Sequence, residues 1–384
     1  MSDVRRILFA TWEGAGNNPP IVTLAGGQAA RGDEVHVLGH ESTRDRFEAV
    51  GCSFIPWENS SEPPFIRRFM PPEDEWAYAE ENIFFGESYQ SDLRPVIEEI
   101  SPDVLMVDAL LRYGILEGLR SGLPLVVLCH TLYGQTVNYP ETSSLYYPDL
   151  VEAAAAQGVP YFSSRRAMLD LADLVLVFAY AEFDVLSGGD AGESVLHVGP
   201  LRTPSAGASD WVRRFPDRPL VVIGLSTSDQ SQLALLQRLC DACADLDVEA
   251  LVTTGPSIAA KKLSTADNVK AVEFVSHDDV LPHADLLITH AGLGTAMAGI
   301  AYGVPMLCTP LGRDQPFNAE RVEALGVGAV AERETSTDAL RQAIAEVLDD
   351  SDIRNRVEEL SRNLQTHPGL AEALTAIDQN SQRY

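Results

Sequence analysis

The chain has 384 residues, enough for two domains of ordinary size, each with its own core. With 45% hydrophobic and 22% charged residues it is a globular rather than a disordered chain. A net charge of −28 excludes the polyanion binders, because this surface would repel nucleic-acid phosphates and anionic membrane alike.

The apolar run in "MSDVRRILFATW" is too short for a signal peptide, and Glu13 follows at once. No segment approaches the roughly 20 apolar residues of a membrane span, so membrane insertion is not expected and the cytoplasm is the expected location. Five scattered cysteines suit a reducing compartment. Cys240 and Cys243 form a CxxC inside "SQLALLQRLCDACADL", which reads as one amphipathic helix. With no second ligand pair they are expected to be buried structural thiols, not a zinc site.

Short apolar, β-branched runs alternate with helical patterns along the whole chain, the signature of parallel sheets with crossover helices. The first half offers "RRILFATW", "EVHVLGH", "SFIPW", "DVLMVD", "LPLVVLCH" and "LVLVFA" as strands. Two stretches interrupt that rhythm, residues 57–90 and 131–162, both long and aromatic. Connections of this length are usually functional, and Trp57, Phe84, Tyr133 and Tyr139 are the candidates there to wall an apolar pocket. Packing of the same rings onto the sheet is the competing reading.

"HVGPLRTPSAGASDWVRRFPDRP", residues 197–219, is rich in Pro, Ser, Gly and charge, as a linker is. The strand pattern then restarts with "PLVVIGLST", "EALVTTG", "VKAVEFV", "DLLITHAG" and "VPMLCTP". The expected organisation is an amino-terminal domain over 1–200, a linker over 201–217 and a second domain over 218–365. A final helix in 366–384 is expected to return to the first domain. Both domains read as doubly wound α/β, and such sheets bind ligands beyond the carboxyl ends of their strands.

Two turns carry chemistry. The first, "TWEGAGNNPP", follows the first strand but fails as a dinucleotide fingerprint. It lacks the third glycine, and Pro19 and Pro20 stand where backbone N–H groups should face a pyrophosphate. The next strand ends in His40 rather than in an acid that could hold a ribose, so an NAD-dependent oxidoreductase is disfavoured. In the second, "DLLITHAGLGTAMAGIAYG", a strand runs through a Gly-rich turn into a helix. The backbone N–H groups of Gly294 and Thr295, the Thr295 hydroxyl and the His290 ring form a natural diphosphate cradle, which glycines let an anion approach.

Residues 275–330 resemble the donor-binding signature of the GT-B fold, family 1 glycosyltransferases, in the bacterial natural-product branch related to macrolide and enediyne glycosyltransferases. The family's "HGGxGT" stands as "HAGLGT", His290 to Thr295, followed in order by "GVP" and by "GRDQPxNAxRV" with Asp314 and Gln315. The resemblance covers essentially the whole chain. It implies two Rossmann-like domains facing a central cleft, with donor contacts from His290, Gly292, Gly294 and Thr295. It further implies sugar contacts from Asp314 and Gln315, base contacts from the backbone near Val275 and His277, and a second phosphate-facing loop at Ser226 and Thr227.

The implied activity is inverting transfer of a sugar from a UDP- or dTDP-sugar to a hydrophobic small-molecule acceptor, without metal or cofactor beyond the nucleotide sugar as co-substrate. Asp245–Asp247 reads as a turn, not a metal-binding DxD. A homodimer is left open by the sequence. In the family pattern a histidine base stands where this chain has Asn17, and its aspartate partner is matched by Asp108. An amide does not titrate, so three accounts stand: Asp108 takes the proton while Asn17 holds the hydroxyl; the acceptor is an amine, acidic phenol, enol or carbon nucleophile needing little help; or His130 substitutes. The first is preferred on sequence. A non-catalytic nucleotide-sugar-binding helper is the alternative from another class.

Overall fold

The computed structural model describes residues 4–138, 145–186, 190–202, 211–364, 367 and 369–381. It forms two units. One comprises Met1–Pro63, Glu73–Thr203 and Pro368–Tyr384; the other comprises Pro64–Pro72 and Pro204–His367.

The first unit holds seven parallel strands: β1 (Arg6–Ala10), β2 (Glu34–Gly39), β3 (Ser53–Pro56), β4 (Val104–Asp108), β5 (Leu125–Cys129), β6 (Leu174–Val177) and β7 (Val195–His197). Their order is β3-β2-β1-β4-β5-β6-β7. Every residue of β4 and β5 is buried, which is why both read as unbroken apolar runs rather than as alternation. Leu105, Met106 and Val127 are wholly inaccessible. The strand order reverses between β1 and β4, so the segments leaving those two strands flank the topological switch point where open α/β sheets bind ligands.

The helix Leu370–Ser381 belongs to this unit. Its Ala373 and Ile377 are fully buried in the same apolar cluster as Ile7, Ile21 and Leu24, and Asp378 pairs with Arg5 at 2.8 Å and with Arg31. The two long aromatic stretches carry regular structure of their own, including the helices Pro72–Ala79, Tyr133–Asn138 and Tyr147–Ala156.

The second unit has six parallel strands: β8 (Leu220–Gly224), β9 (Glu249–Thr253), β10 (Val269–Val272), β11 (Leu286–Thr289), β12 (Met306–Cys308) and β13 (Gly328–Val330). The order is β10-β9-β8-β11-β12-β13, with the switch point between β8 and β11. The helix Leu233–Ala244 turns Leu235, Leu236, Leu239, Cys240 and Cys243 into the core. Burial pushes the Cys240 and Cys243 thiols up to about 11 and about 12, so both are inert packing groups. The carboxylates of the DLD stretch are held by arginines, Asp245 by Arg341 at 2.6 Å and Asp247 by Arg218 at 2.8 Å.

Three strands, β7, β12 and β13, have three residues each, and β7 and β13 carry no sequence pattern of their own. β13 opens on Gly328, where a Cβ would lie 2.2 Å from the Met306 carbonyl oxygen. Among the described residues, no helix is long and apolar enough to cross a membrane.

Candidate functional site

In the second unit, β11 ends at Thr289 and the chain turns sharply through Ala291, whose φ of 62° is left-handed. The helix Leu293–Tyr302 then begins. Its N-cap is Gly292, which has no side chain to bond the first turn. The N–H groups of Thr295 and Ala296 close onto the Gly292 carbonyl at 2.9 and 3.0 Å. This leaves Leu293 and Gly294 to present the free N–H groups, and the Thr295 N–H expected in the cradle is engaged inside the turn. Above Gly294 there is open space: a Cβ there would meet nothing within 4 Å. Unbonded donors, a helix dipole and room for a ligand coincide at this point, as an anion site requires.

Gly292 is needed for a different reason. A Cβ there would stand 2.7 Å from His290 Nε2, so the missing side chain is what lets the imidazole lie over the turn. His290 is half-buried and its Nδ1 has no partner among the described residues. Burial, then Arg313 and His277, push its pKa down to about 4. A hydrogen bond to the Gly224 backbone opposes part of that shift, and at pH 7 the ring is neutral. His277 opens the short helix His277–Val280 and approaches Gly224 so closely that a Cβ on that glycine would be 3.2 Å from Nε2. Val275 is half-buried beside Phe274, which stands 81% exposed, an unusual position for a large aromatic.

Of the other expected donor residues, Thr227 is exposed at the end of β8, whereas Ser226 is buried, its Oγ bonded to Ser228 Oγ (3.1 Å) and to Gln230 Nε2 (2.8 Å). Gln315 is also buried. Its Oε1 accepts from the N–H groups of Leu311 (2.8 Å) and Gly312 (3.1 Å), and its Nε2 donates to Gln230 at 3.2 Å. Gln315 thus braces the turn before its helix. Asp314 is half-buried and accepts from Asn318 Nδ2 at 2.8 Å. The same amide donates to the Ala291 carbonyl at 3.0 Å, tying the two turns together. Sequence reasoning gave Asn318 no role, although it sits four residues after Asp314, one helical turn away.

In the first unit, β1 leads into a loop fixed from several sides. Glu13 is buried; its N–H donates to His40 Nδ1 at 2.9 Å, and its carboxylate accepts from the Ala15 N–H at 2.7 Å. Ala15 is left-handed, with φ 65°. Asn17, 1% exposed, uses its whole amide internally. Its Oδ1 accepts from the Gly14 N–H (3.0 Å) and from Asn18 Nδ2 (3.3 Å), and its Nδ2 donates to the Trp12 carbonyl (2.8 Å) and to Asp108 Oδ2 (3.2 Å). Asp108 ends β4 with no exposure at all, its Oδ1 accepting from the Leu110 N–H at 2.9 Å. His130 follows β5, and its Nδ1 lies 3.1 Å from Asp108 Oδ2, at ion-pair distance but not aligned as a hydrogen bond.

The structure therefore brings Asn17, Asp108 and His130 together, yet the division of labour preferred on sequence does not fit it. A carboxylate with no accessible surface cannot reach an acceptor hydroxyl, and an amide with both ends occupied cannot hold one. The expected acceptor contacts need a similar correction. Trp57 donates its Nε1–H to the Thr11 carbonyl at 2.7 Å and packs edge-on against Tyr89. Phe84 lies between Trp76 and the Arg112 guanidinium, and Tyr133 is wholly buried. All three are packing residues, buried because the helices in these stretches fold back on the sheet. Tyr139 lies outside the described residues.

Residues 237–378 match the family described as erythromycin biosynthesis protein CIII-like, C-terminal domain. The chain is 25% identical over 403 residues to demethyllactenocin mycarosyltransferase of Streptomyces fradiae, covering 97% of this chain and 86% of that one. In fold it is similar to the calicheamicin glycosyltransferase CalG4, with a TM-score of 0.83 at 22% identity and 99% of each chain covered. It also matches the glycosyltransferase VinC, solved in complex with dTDP, with a TM-score of 0.75 at 22% identity over 99% of this chain and 100% of that one. The region 237–378 is thus an EryCIII-like domain, and the chain as a whole has the GT-B fold and is similar in sequence to natural-product glycosyltransferases.

Proposed function

We propose that this glycosyltransferase moves a sugar from a UDP- or dTDP-sugar to a hydrophobic small-molecule acceptor, with inversion at the anomeric carbon and without a metal ion. The observation that carries the reading is the uncapped start of the helix Leu293–Tyr302, with free N–H groups at Leu293 and Gly294, open space above Gly294 and the neutral His290 ring alongside. A departing nucleoside diphosphate gathers negative charge, and this turn supplies fixed N–H dipoles and a helix end to meet it. Phe274, exposed beside the His277 helix, offers a face on which a pyrimidine base would stack.

Inversion follows from a single displacement, the acceptor attacking C1 opposite the diphosphate. Asp108, fully buried and hydrogen-bonded, is not available as a covalent nucleophile on the acceptor side. In the first unit the exposed rings of Trp76 and Tyr161 support an apolar acceptor.

Thermal melts with UDP, dTDP and NAD test the donor reading. The first two should raise the melting temperature and NAD should not, with the same result in EDTA. Incubation with UDP- and dTDP-sugars and a panel of planar phenols and macrolide aglycones, read by mass, then tests transfer. Stabilisation by NAD alone, or loss of both nucleotide shifts in EDTA, defeats the proposal.

A further inference from the structure

The reaction requires a destination for the acceptor's proton, and position 17, where the resemblance puts a histidine, holds an amide. The geometry points to His130 as the catalytic base, with Asp108 positioning it and Asn17 positioning Asp108; this rests on the proposed transferase reading. Three observations carry it.

First, His130 is the most accessible member of the cluster, Asn17 being 1% exposed. Its side chain is 11% exposed against 0% for Asp108, and no hydrogen bond among the described residues reaches its Nε2. Second, Asp108 is a buried carboxylate bonded by neutral donors only, the Leu110 N–H and Asn17 Nδ2. A buried charge of this kind is poorly compensated, and a proton arriving on a ring 3.1 Å away creates the cation it lacks. Third, the Asn17 amide locks the carboxylate from the far side. It is anchored on the Trp12 carbonyl and the Gly14 N–H, so Asp108 Oδ2 is aimed between Asn17 and His130.

His130 lies at the end of β5, the neighbour of β4 on the side away from β1. The imidazole has thus moved from one flank of the aspartate to the other. In the step, the acceptor O–H gives its proton to neutral His130 Nε2 while its oxygen forms the bond to C1. The bond from C1 to the diphosphate oxygen breaks, and its electron pair leaves with the nucleoside diphosphate. The imidazolium is held by Asp108 until the proton passes to water.

The test uses the full chain with UDP-glucose and dTDP-glucose, following nucleoside diphosphate release both with water as acceptor and with 2-naphthol. His130→Gln is expected to lower release by about 10²–10⁴-fold, the usual worth of a positioned base, while the dTDP melting shift stays at the wild-type value. Placing an imidazole on the original flank, as Asn17→His in the His130→Gln background, is expected to restore at least about tenfold of the loss, which a purely structural histidine would not allow. His130→Gln releasing within about threefold of wild type overturns the inference, as does a double variant no better than the single one. Nucleotide binding without measurable release in the wild type overturns it too. A wild type that neither UDP nor dTDP stabilises defeats the transferase reading instead.

Discussion

Replacing Gly294 by alanine separates packing from binding at the donor turn, because the two consequences have opposite signs. Gly294 is exposed, is the second residue of the helix Leu293–Tyr302 and is absent from the positive-φ glycines. A Cβ would meet no atom within 4 Å, so the folded protein accepts it without strain. Alanine restricts the unfolded chain and favours the helix, worth about 0.4–1 kcal/mol, or roughly 1–4 °C in melting temperature for a domain of this size. The same methyl enters the volume a diphosphate would occupy. Losing one hydrogen bond to a charged group there costs about 1.5–3 kcal/mol, a weakening of roughly 10–150-fold. At a dTDP concentration near 100 times the wild-type Kd, the ligand contributes about 2.7 kcal/mol to wild-type stability. For a variant 10- to 100-fold weaker this falls to about 1.4–0.4 kcal/mol. Melts with and without dTDP, backed by titration calorimetry, read both effects from one sample. A variant that melts higher yet binds dTDP and UDP as the wild type does would refute the cradle. One that melts lower without ligand would refute the account of the free space.

Stability should also follow pH through two histidines. Burial holds His40 at about 4 in the folded chain, and burial with Arg313 and His277 holds His290 near the same value, whereas unfolded imidazole titrates near 6.5. The unfolded state therefore binds more protons between those values, so the stability is present above about pH 6.5 and lost on acidification. The loss is about 2 kcal/mol per histidine by pH 5, visible in urea melts at pH 7.5 and 5 and reduced in His290→Gln. At the acceptor cluster, Asp108→Asn should depress turnover by about 10²–10⁴-fold and Asn17→Ala by about tenfold or less, since the amide acts only through the carboxylate; steady-state rates in which Asn17→Ala is the more damaging contradict this. Asn318→Ala frees both Asp314 and the Ala291 turn and should raise KM for the nucleotide sugar and weaken dTDP binding severalfold each, measured by kinetics and calorimetry on the same preparation.

The sequence made the sheets legible because buried parallel strands are continuous apolar runs, as β4, β5 and β8 are. β7 and β13, three residues each, were not legible, whereas the equally short β12 was marked by the run "VPMLCTP". The donor turn was readable from glycine spacing, which reflects real steric demands at Gly292 and real vacancy at Gly294. What composition cannot report is which end of a polar side chain is already occupied. Gln315, Ser226 and Asn17 all look like ligand contacts in one dimension, yet each completes a buried network within its own unit. Aromatic residues mislead for a related reason: Trp57 and Tyr133 sit in stretches suited to a pocket, but burying a large ring under a helix stabilises the fold in the same way a ligand would. The segment Pro64–Pro72 is the clearest non-local case. It lies within the first half of the chain but clusters with the second unit, where the Arg313 guanidinium carbon stands 5.3 Å from the Phe65 ring centre, within cation–π reach.

The two switch points show why one unit suits a diphosphate and the other does not. Each places a loop and a helix start after one of the two strands at its switch point, β1 in the first unit and β11 in the second, but the helix openings differ in donors. The helix after β1, Asn18–Ala30, has Pro19 and Pro20 in its first turn, and proline has no N–H. Two of the donors that would face an anion are absent, and the space in front of them is filled by the Asn17, Asn18 and Trp12 network. The helix after β11 begins Leu293-Gly294-Thr295, keeps its donors, and has no capping side chain to occupy them. An anion is thus favoured at the second switch point and disfavoured at the first, where a buried carboxylate already stands. That carboxylate in turn favours a group that becomes positive during the reaction. The assignment of donor to one unit and of the proton-accepting imidazole to the other therefore follows from which helix opens on proline and which on glycine.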